Sequence, residues 1–228
     1  MNHGGNIYRF AKQLGCQPEE ILDFSANINP EQAVDPAFLQ QVRLQPYADL
    51  NYSSLKQAIK TRYPHPEGVD MEVFNGASVA IFALLSWLQP KDLVLYTPLY
   101  GEYAQIGKQL GCKLHNIDRF YSLTAAIPCN STVIFVNPAT PDGQLYEMQG
   151  LLGQWQESGC TIIVDESFLD FCEADSVTGQ VTHYDKLHVI KSLSKFYGCW
   201  GSHRLCPGSI TGNSGTMAFR TGMETLQF

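Results

Sequence analysis

What most constrains this chain is the order in which two hydrophobic periods alternate along it. Short apolar runs of strand length occupy residues 92–97, 113–117, 132–136, 161–164 and 187–190. Between them, residues 79–88, 102–110 and 147–157 carry apolar side chains at helical spacing. Strand runs apolar on both faces, joined by helices, are the pattern of parallel strands with helical crossovers. The predicted fold is therefore α/β: a three-layer α/β/α arrangement around a mostly parallel sheet. Such sheets bind ligands beyond the carboxyl ends of their strands, so the residues just after each run are the ones to inspect.

The N-terminal part follows the same logic. Ile7, Phe10, Ala11 and Leu14 form a helical stripe that Gly15 ends. Leu55, Ala58 and Ile59 share one face of a second helix, which stops before Pro64. Residues 71–78 read as a strand running into a turn. The segment KQLGC occurs at 12–16 and again at 108–112, with no common period around the copies. These are two glycine-capped helix ends, not a repeat. From Cys199 onward the chain is rich in Gly, Ser and Thr, with little periodicity. That tail, 199–228, reads as loop, disorder or an unlike continuation.

Composition excludes several classes. The net charge is −7 and the 15 basic residues form no run, which argues against nucleic acid. The apolar stretch 79–88 is too short to cross a membrane, and Ser86 interrupts it. The first residues lack the basic-then-apolar order of a secretory signal, so the cytoplasm is the expected compartment. Seven cysteines contain no C-x-x-C pair, so neither a metal site nor a disulfide framework is expected.

Four clusters could carry chemistry. Asp165 stands at the end of the run TIIV, and Lys195 follows HVI in the segment KSLSKFY. An enzyme using pyridoxal phosphate needs a lysine amine to hold the aldehyde and a carboxylate beside the ring nitrogen. Either residue alone is also an ordinary strand-end aspartate or surface lysine. Asn75-Gly-Ala-Ser78 lies between a strand and a helix, where the amides of Gly76, Ala77 and Ser78 offer an anion site. The bland alternative is an N-cap made by Ser78. Ser192, Ser194 and Arg204 would face the same anion from the other side. Tyr100, in TPLYGEY, could stack on a flat ring or simply pack. NPATPDG, 137–143, is turn chemistry after a strand.

Taken in order, NGAS, TPLYGEY, NPATPDG, VDESFLDF and SLSKFYG resemble the fold-type I pyridoxal-phosphate enzymes, the class I and II aminotransferase family. Within it they are similar to the branch holding the histidinol-phosphate aminotransferases and threonine-phosphate decarboxylases. HGGNIYRFAKQLG, DFSANINP and YADLNYSSLKQAI favour the decarboxylases. The resemblance spans roughly residues 2–198 and implies an N-terminal arm (1–30) and a cofactor-binding large domain (31–198).

It implies a pyridoxal-phosphate-dependent lyase decarboxylating a small phosphorylated amino acid, L-threonine O-3-phosphate, for cobalamin biosynthesis. The alternatives are a transaminase of the histidinol-phosphate type, acting on a phosphorylated amine, and a non-catalytic remnant. By position, Lys195 is the Schiff-base lysine and Asp165 the partner of the ring nitrogen, while Tyr100 stacks on the ring. Ala77, Ser78, Ser192, Ser194 and Arg204 hold the phosphate. Tyr47 reaches the phosphate of a neighbouring subunit in a homodimer. His3, Gly4, Gly5, Asn6 and Asn27 face the substrate.

Three departures stand out. Thr140 replaces the family's asparagine that donates to the ring's phenolic oxygen, and its hydroxyl reaches less far. Arg204 stands one residue further from the lysine than the family's arginine, after Trp200-Gly-Ser-His203. The family also continues past residue 228 into a small C-terminal domain, so a truncated or frameshifted chain is the expectation.

Overall fold

The computed structural model of the chain describes residues 6–31, 35, 37, 49–63 and 65–198, together with the backbone of 215–221. The elements in chain order are α1 (Ile7–Leu14), α2 (Ser53–Arg62), β1 (Val69–Asn75), α3 (Ala77–Leu88), β2 (Asp92–Thr97), α4 (Gly101–Gln109) and β3 (Lys113–Asp118). Then come β4 (Thr132–Val136), α5 (Gln149–Glu157), β5 (Thr161–Asp165), β6 (Leu187–Ser192), α6 (Leu193–Phe196) and β7 (Gly215–Thr221).

Among the described residues one sheet holds seven strands in the order β1-β7-β6-β5-β4-β2-β3. Strands β2 to β6 pair parallel with one another, while β7 runs antiparallel to both β1 and β6. β1 therefore points the same way as β6. The carboxyl ends of β1, β2, β4, β5 and β6 all open on one edge.

The layering follows from burial on both faces. Leu93, Leu95, Ile134, Val136, Ile163 and Ile190 face α3 and α4, packing on Ile81, Leu84, Leu85, Tyr103 and Ile106. On the other face Val94, Tyr96, Phe135, Ile162, Val164 and Val189 pack with Ile59 and Tyr63 at α2 and with Leu151, Leu152 and Trp155 of α5. Trp155 is fully buried, and its indole N–H donates to Tyr96 Oη at 3.0 Å. The expected three-layer α/β fold is present.

Most element boundaries agree with the sequence reading to within two residues, and the differences have local causes. α5 begins at Gln149, not at residue 147, because the Glu147 carboxylate sits outside the helix. There it accepts the N–H groups of Gln149 (2.6 Å) and Gly150 (3.2 Å). Both KQLGC copies end helices, with Gly15 at φ 71° and Gly111 at φ 76°. The tail needs a correction. Seven of its residues, Gly215–Thr221, form a strand and not a loop. Their weak periodicity hid it, because hydrogen bonding on both edges stabilises a strand whose own propensity is modest.

Candidate active site

Asp165 is the last residue of β5 and is buried. Its Oδ1 accepts the Ser167 N–H at 2.9 Å and the Ser167 hydroxyl at 2.5 Å, and its Oδ2 accepts the Tyr103 hydroxyl at 2.7 Å. A carboxylate has about four acceptor positions, so three donors fix its plane and leave room for one more. A donor approaching from the open sheet edge is what that carboxylate suits.

Lys195 lies in α6, the short helical turn directly after β6, the neighbour of β5 in the sheet. Burial lowers its pKa from the ordinary lysine value, and the negative charge of Asp165 works in the other direction. Desolvation disfavours the ammonium, so more of the amine is neutral and nucleophilic near pH 7 than on a surface lysine. The Phe168 ring lies 5.6 Å from Nζ and supplies part of that apolar wall.

The start of α3 forms another side of the edge. Its N-cap is Gly76, not Ser78, and no side chain caps it. The first-turn N–H groups are thus open to an anion, with the helix dipole adding to their pull. Gly76 sits at φ 93°, ψ 158°, a region open essentially to glycine alone. Ser78 turns its hydroxyl to Tyr100 Oη at 3.3 Å. Tyr100 follows β2 as the N-cap residue of α4 and is partly exposed; burial raises its pKa above the usual tyrosine value. Across the sheet, Ser192 and Ser194 hydroxyls lie 2.9 Å apart.

The edge thus collects Ser78, Tyr100, Asp165, Ser192, Ser194 and Lys195 at strand ends. Ala77 is the first residue of α3. Thr140 lies in the turn after β4, closed by the Gly143 N–H donating to Ala139 O at 2.7 Å. Asn6 serves as the N-cap of α1, its Oδ1 accepting the Arg9 N–H at 3.1 Å. Asn27 is exposed in the segment between α1 and α2. Tyr47, His3, Gly4, Gly5 and Arg204 lie outside the described residues.

Several contributors escaped the sequence reading. Tyr103 was inside a quoted motif, and its spacing of three from Tyr100 on one helix was the available signal. Ser167 carried none beyond following Asp165 by two. Asn137 is buried, donates through Nδ2 to Tyr146 O at 3.0 Å, and accepts the Tyr146 N–H at 2.8 Å. Its own N–H bonds Asp165 O at 2.8 Å, tying the β4 loop to the β5 end. Arg119 is also buried: it donates to Val136 O at 2.8 Å and Pro98 O at 3.3 Å, and lies over the Phe135 and Tyr146 rings. It staples the ends of β2 and β4, and burial lowers its pKa.

Residues 1–214 match the aminotransferase class I and II family. This chain belongs to that family. It is 32% identical over 219 residues to a threonine-phosphate decarboxylase of Salmonella typhimurium, covering 87% of this chain and 59% of the relative. It is 30% identical over 196 residues to an adenosylcobalamin biosynthesis bifunctional protein of Leptospira interrogans, covering 76% and 22%. The fold matches a histidinol-phosphate aminotransferase of Clostridium acetobutylicum with a TM-score of 0.71 at 24% identity, over 89% of this chain and 61% of that one. The chain thus spans well under two thirds of the relatives' length.

Class I and II aminotransferases and their decarboxylase kin use pyridoxal phosphate. The residues present fit that group. A half-buried amine and a carboxylate with a position to spare stand at the ends of β6 and β5, and the same sheet edge carries the Ser192 and Ser194 hydroxyls and, beyond β7, an uncapped helix start. They match its aldehyde, its basic ring nitrogen and its phosphate.

Proposed function

We propose that this chain carries the cofactor-binding part of a pyridoxal-phosphate enzyme that decarboxylates L-threonine O-3-phosphate. The supporting observation is the placement of Asp165 and Lys195 at the ends of adjacent strands, with burial holding the lysine's pKa down. Lys195 would hold the cofactor aldehyde and would be the group that returns a proton to the substrate α-carbon. Asp165 would keep a proton on the ring nitrogen, and the group, when bound, would supply an electron sink for the α-carbon bond that breaks. Tyr100 packs on the ring and Thr140 donates toward its phenolic oxygen. The phosphate sits at Ala77 and Ser78, with Ser192, Ser194 and Arg204 around it.

The choice of decarboxylation over transamination rests on the relatives. Identity reaches 32% and 30% with proteins named for the decarboxylase and for adenosylcobalamin biosynthesis. On this reading His3, Gly4, Gly5, Asn6 and Asn27 approach the substrate, Tyr47 reaches a second copy's phosphate in a homodimer, and the enzyme works in the cytoplasm.

Borohydride reduction of the chain incubated with pyridoxal phosphate, followed by peptide mapping, is expected to mark Lys195. A mark at Lys186 or Lys191 instead rejects the site. Product analysis with threonine phosphate separates the chemistries: carbon dioxide and 1-amino-2-propanol phosphate support the decarboxylase, and amino transfer to a keto acid supports the histidinol-phosphate type.

A further inference from the structure

α6 is a four-residue helical turn, and its end presents carbonyls that no following turn can use. The Leu193 carbonyl accepts the Tyr197 N–H at 3.1 Å. Two further acceptors, the Lys195 and Phe196 carbonyls, are satisfied from far away in sequence. The Asn29 N–H donates to Lys195 O at 3.0 Å, and the Asn29 side chain donates through Nδ2 to Phe196 O at 2.9 Å. Its remaining atom is also used, since Asn29 Oδ1 accepts the Glu31 N–H at 3.0 Å and closes a small turn. Behind this, Gly198 takes a left-handed φ of 64°, and a Cβ there would stand 3.7 Å from Asn29 O.

We propose that Asn29 is a positioning residue for Lys195, clamping both carbonyls at the end of α6 and so fixing how the amine leaves the sheet edge. An asparagine suits the task, because its side chain must donate to Phe196 O and accept the Glu31 N–H at once, beside a backbone N–H on Lys195 O that any residue but proline could supply. The inference rests on the reading of Lys195 as the reactive lysine. It also gives the 27–29 segment two duties: Asn27 faces the substrate two residues before Asn29 grips the lysine's backbone.

The clamp bears on reactivity through solvation. Asp165 is the titratable group acting on Lys195 from β5, and Phe168 lines its apolar side. With the clamp gone, α6 loosens, water reaches Nζ, and the amine titrates closer to an ordinary lysine.

The test compares the wild-type chain with Asn29→Ser and Asn29→Ala, without cofactor. Competitive acetic anhydride labelling across pH, read by peptide mapping, follows Lys195, with the exposed Lys108 as internal reference. The serine retains an acceptor for the Glu31 N–H but is too short to reach Phe196 O. Both variants are expected to raise the Lys195 midpoint by about half a unit, a threefold loss of free amine at a given pH below it. The rate of borohydride-trappable adduct formation with pyridoxal phosphate should fall in proportion.

Unchanged Lys195 profiles in both variants overturn the proposal. So does a shift in Asn29→Ala alone, which would assign the effect to the turn at Glu31. If neither variant folds, amide hydrogen exchange on the wild type decides: the Asn29 amide must be protected, and exchange at an unstructured rate overturns the clamp. An adduct on another lysine counts against the reading of the site itself, leaving the two failures distinct.

Discussion

Lys191 Nζ lies 2.6 Å from Glu166 Oε2, with both side chains almost wholly buried. Three residues separate Lys191 from Lys195, yet the two stand in different surroundings. Lys191 faces the α2 side of the sheet, 5.3 Å from the Tyr63 ring, in a closed ion pair. Glu166 also accepts the Ser176 hydroxyl at 2.6 Å and the Val177 N–H at 2.7 Å.

Breaking that pair from one side strands a buried charge. Glu166→Ala is expected to lower the unfolding free energy by about 3–5 kcal/mol, measured by urea denaturation. The double variant Lys191→Met with Glu166→Leu should recover most of the loss, because neither charge is then left alone. Equal losses in single and double variants would contradict this.

Asp165→Asn should move the Lys195 titration to lower pH. Burial pulls that pKa down and the Asp165 anion holds it up, so removing the anion leaves desolvation unopposed. The stability consequence has a definite sign. Where the folded pKa is depressed, the unfolded chain binds more protons, and stability rises with pH between the folded and the ordinary lysine values. Lys195→Met is therefore expected to outperform the wild type below that window and to lose its advantage as pH climbs through it. Parallel denaturation series at several pH values provide the check.

Gly76→Ala imposes a side chain on φ 93°, ψ 158°. The cost is expected to be about 1–3 kcal/mol in stability, seen as a lowered denaturation midpoint. Because nothing lies within 4 Å of the added Cβ, the penalty is backbone strain and not a clash. The distorted turn should also weaken phosphate binding at α3, read by displacement of bound pyridoxal phosphate with inorganic phosphate.

Tyr103→Phe and Tyr100→Phe should behave differently. The first removes a buried donor to a carboxylate and is expected to cost about 1.5–3 kcal/mol. The second removes a partly exposed hydroxyl with a long contact to Ser78 and should stay within about 0.5 kcal/mol. Two denaturation curves settle the ranking.

The layered fold was legible because its strands bury both faces. Runs such as Thr132–Val136, buried at every position, have no polar alternation to confuse them with surface strands. The positions of Asp165 and Lys195 at or just past strand ends were legible as well, and such positions in a parallel sheet are where ligands bind. What hid were residues whose duty depends on distant partners. Asn29 reads as a turn asparagine, and only the fold brings it to Phe196. Arg119 has nothing in the sequence to mark it, although the Pro98 carbonyl just past β2 and the Val136 carbonyl of β4 hold it. β7 hid for a related reason: its identity as a strand resides in the two neighbours that flank it.

That strand also sets the spacing across the proposed site. β1 and β6 do not touch in the sheet; β7 lies between them, paired with both along its length. The two halves of the proposed anion site therefore belong to strands spaced by a third that runs backwards between them, from far downstream. On the proposed reading, the grip on phosphate would depend on a strand that contributes none of its contacts.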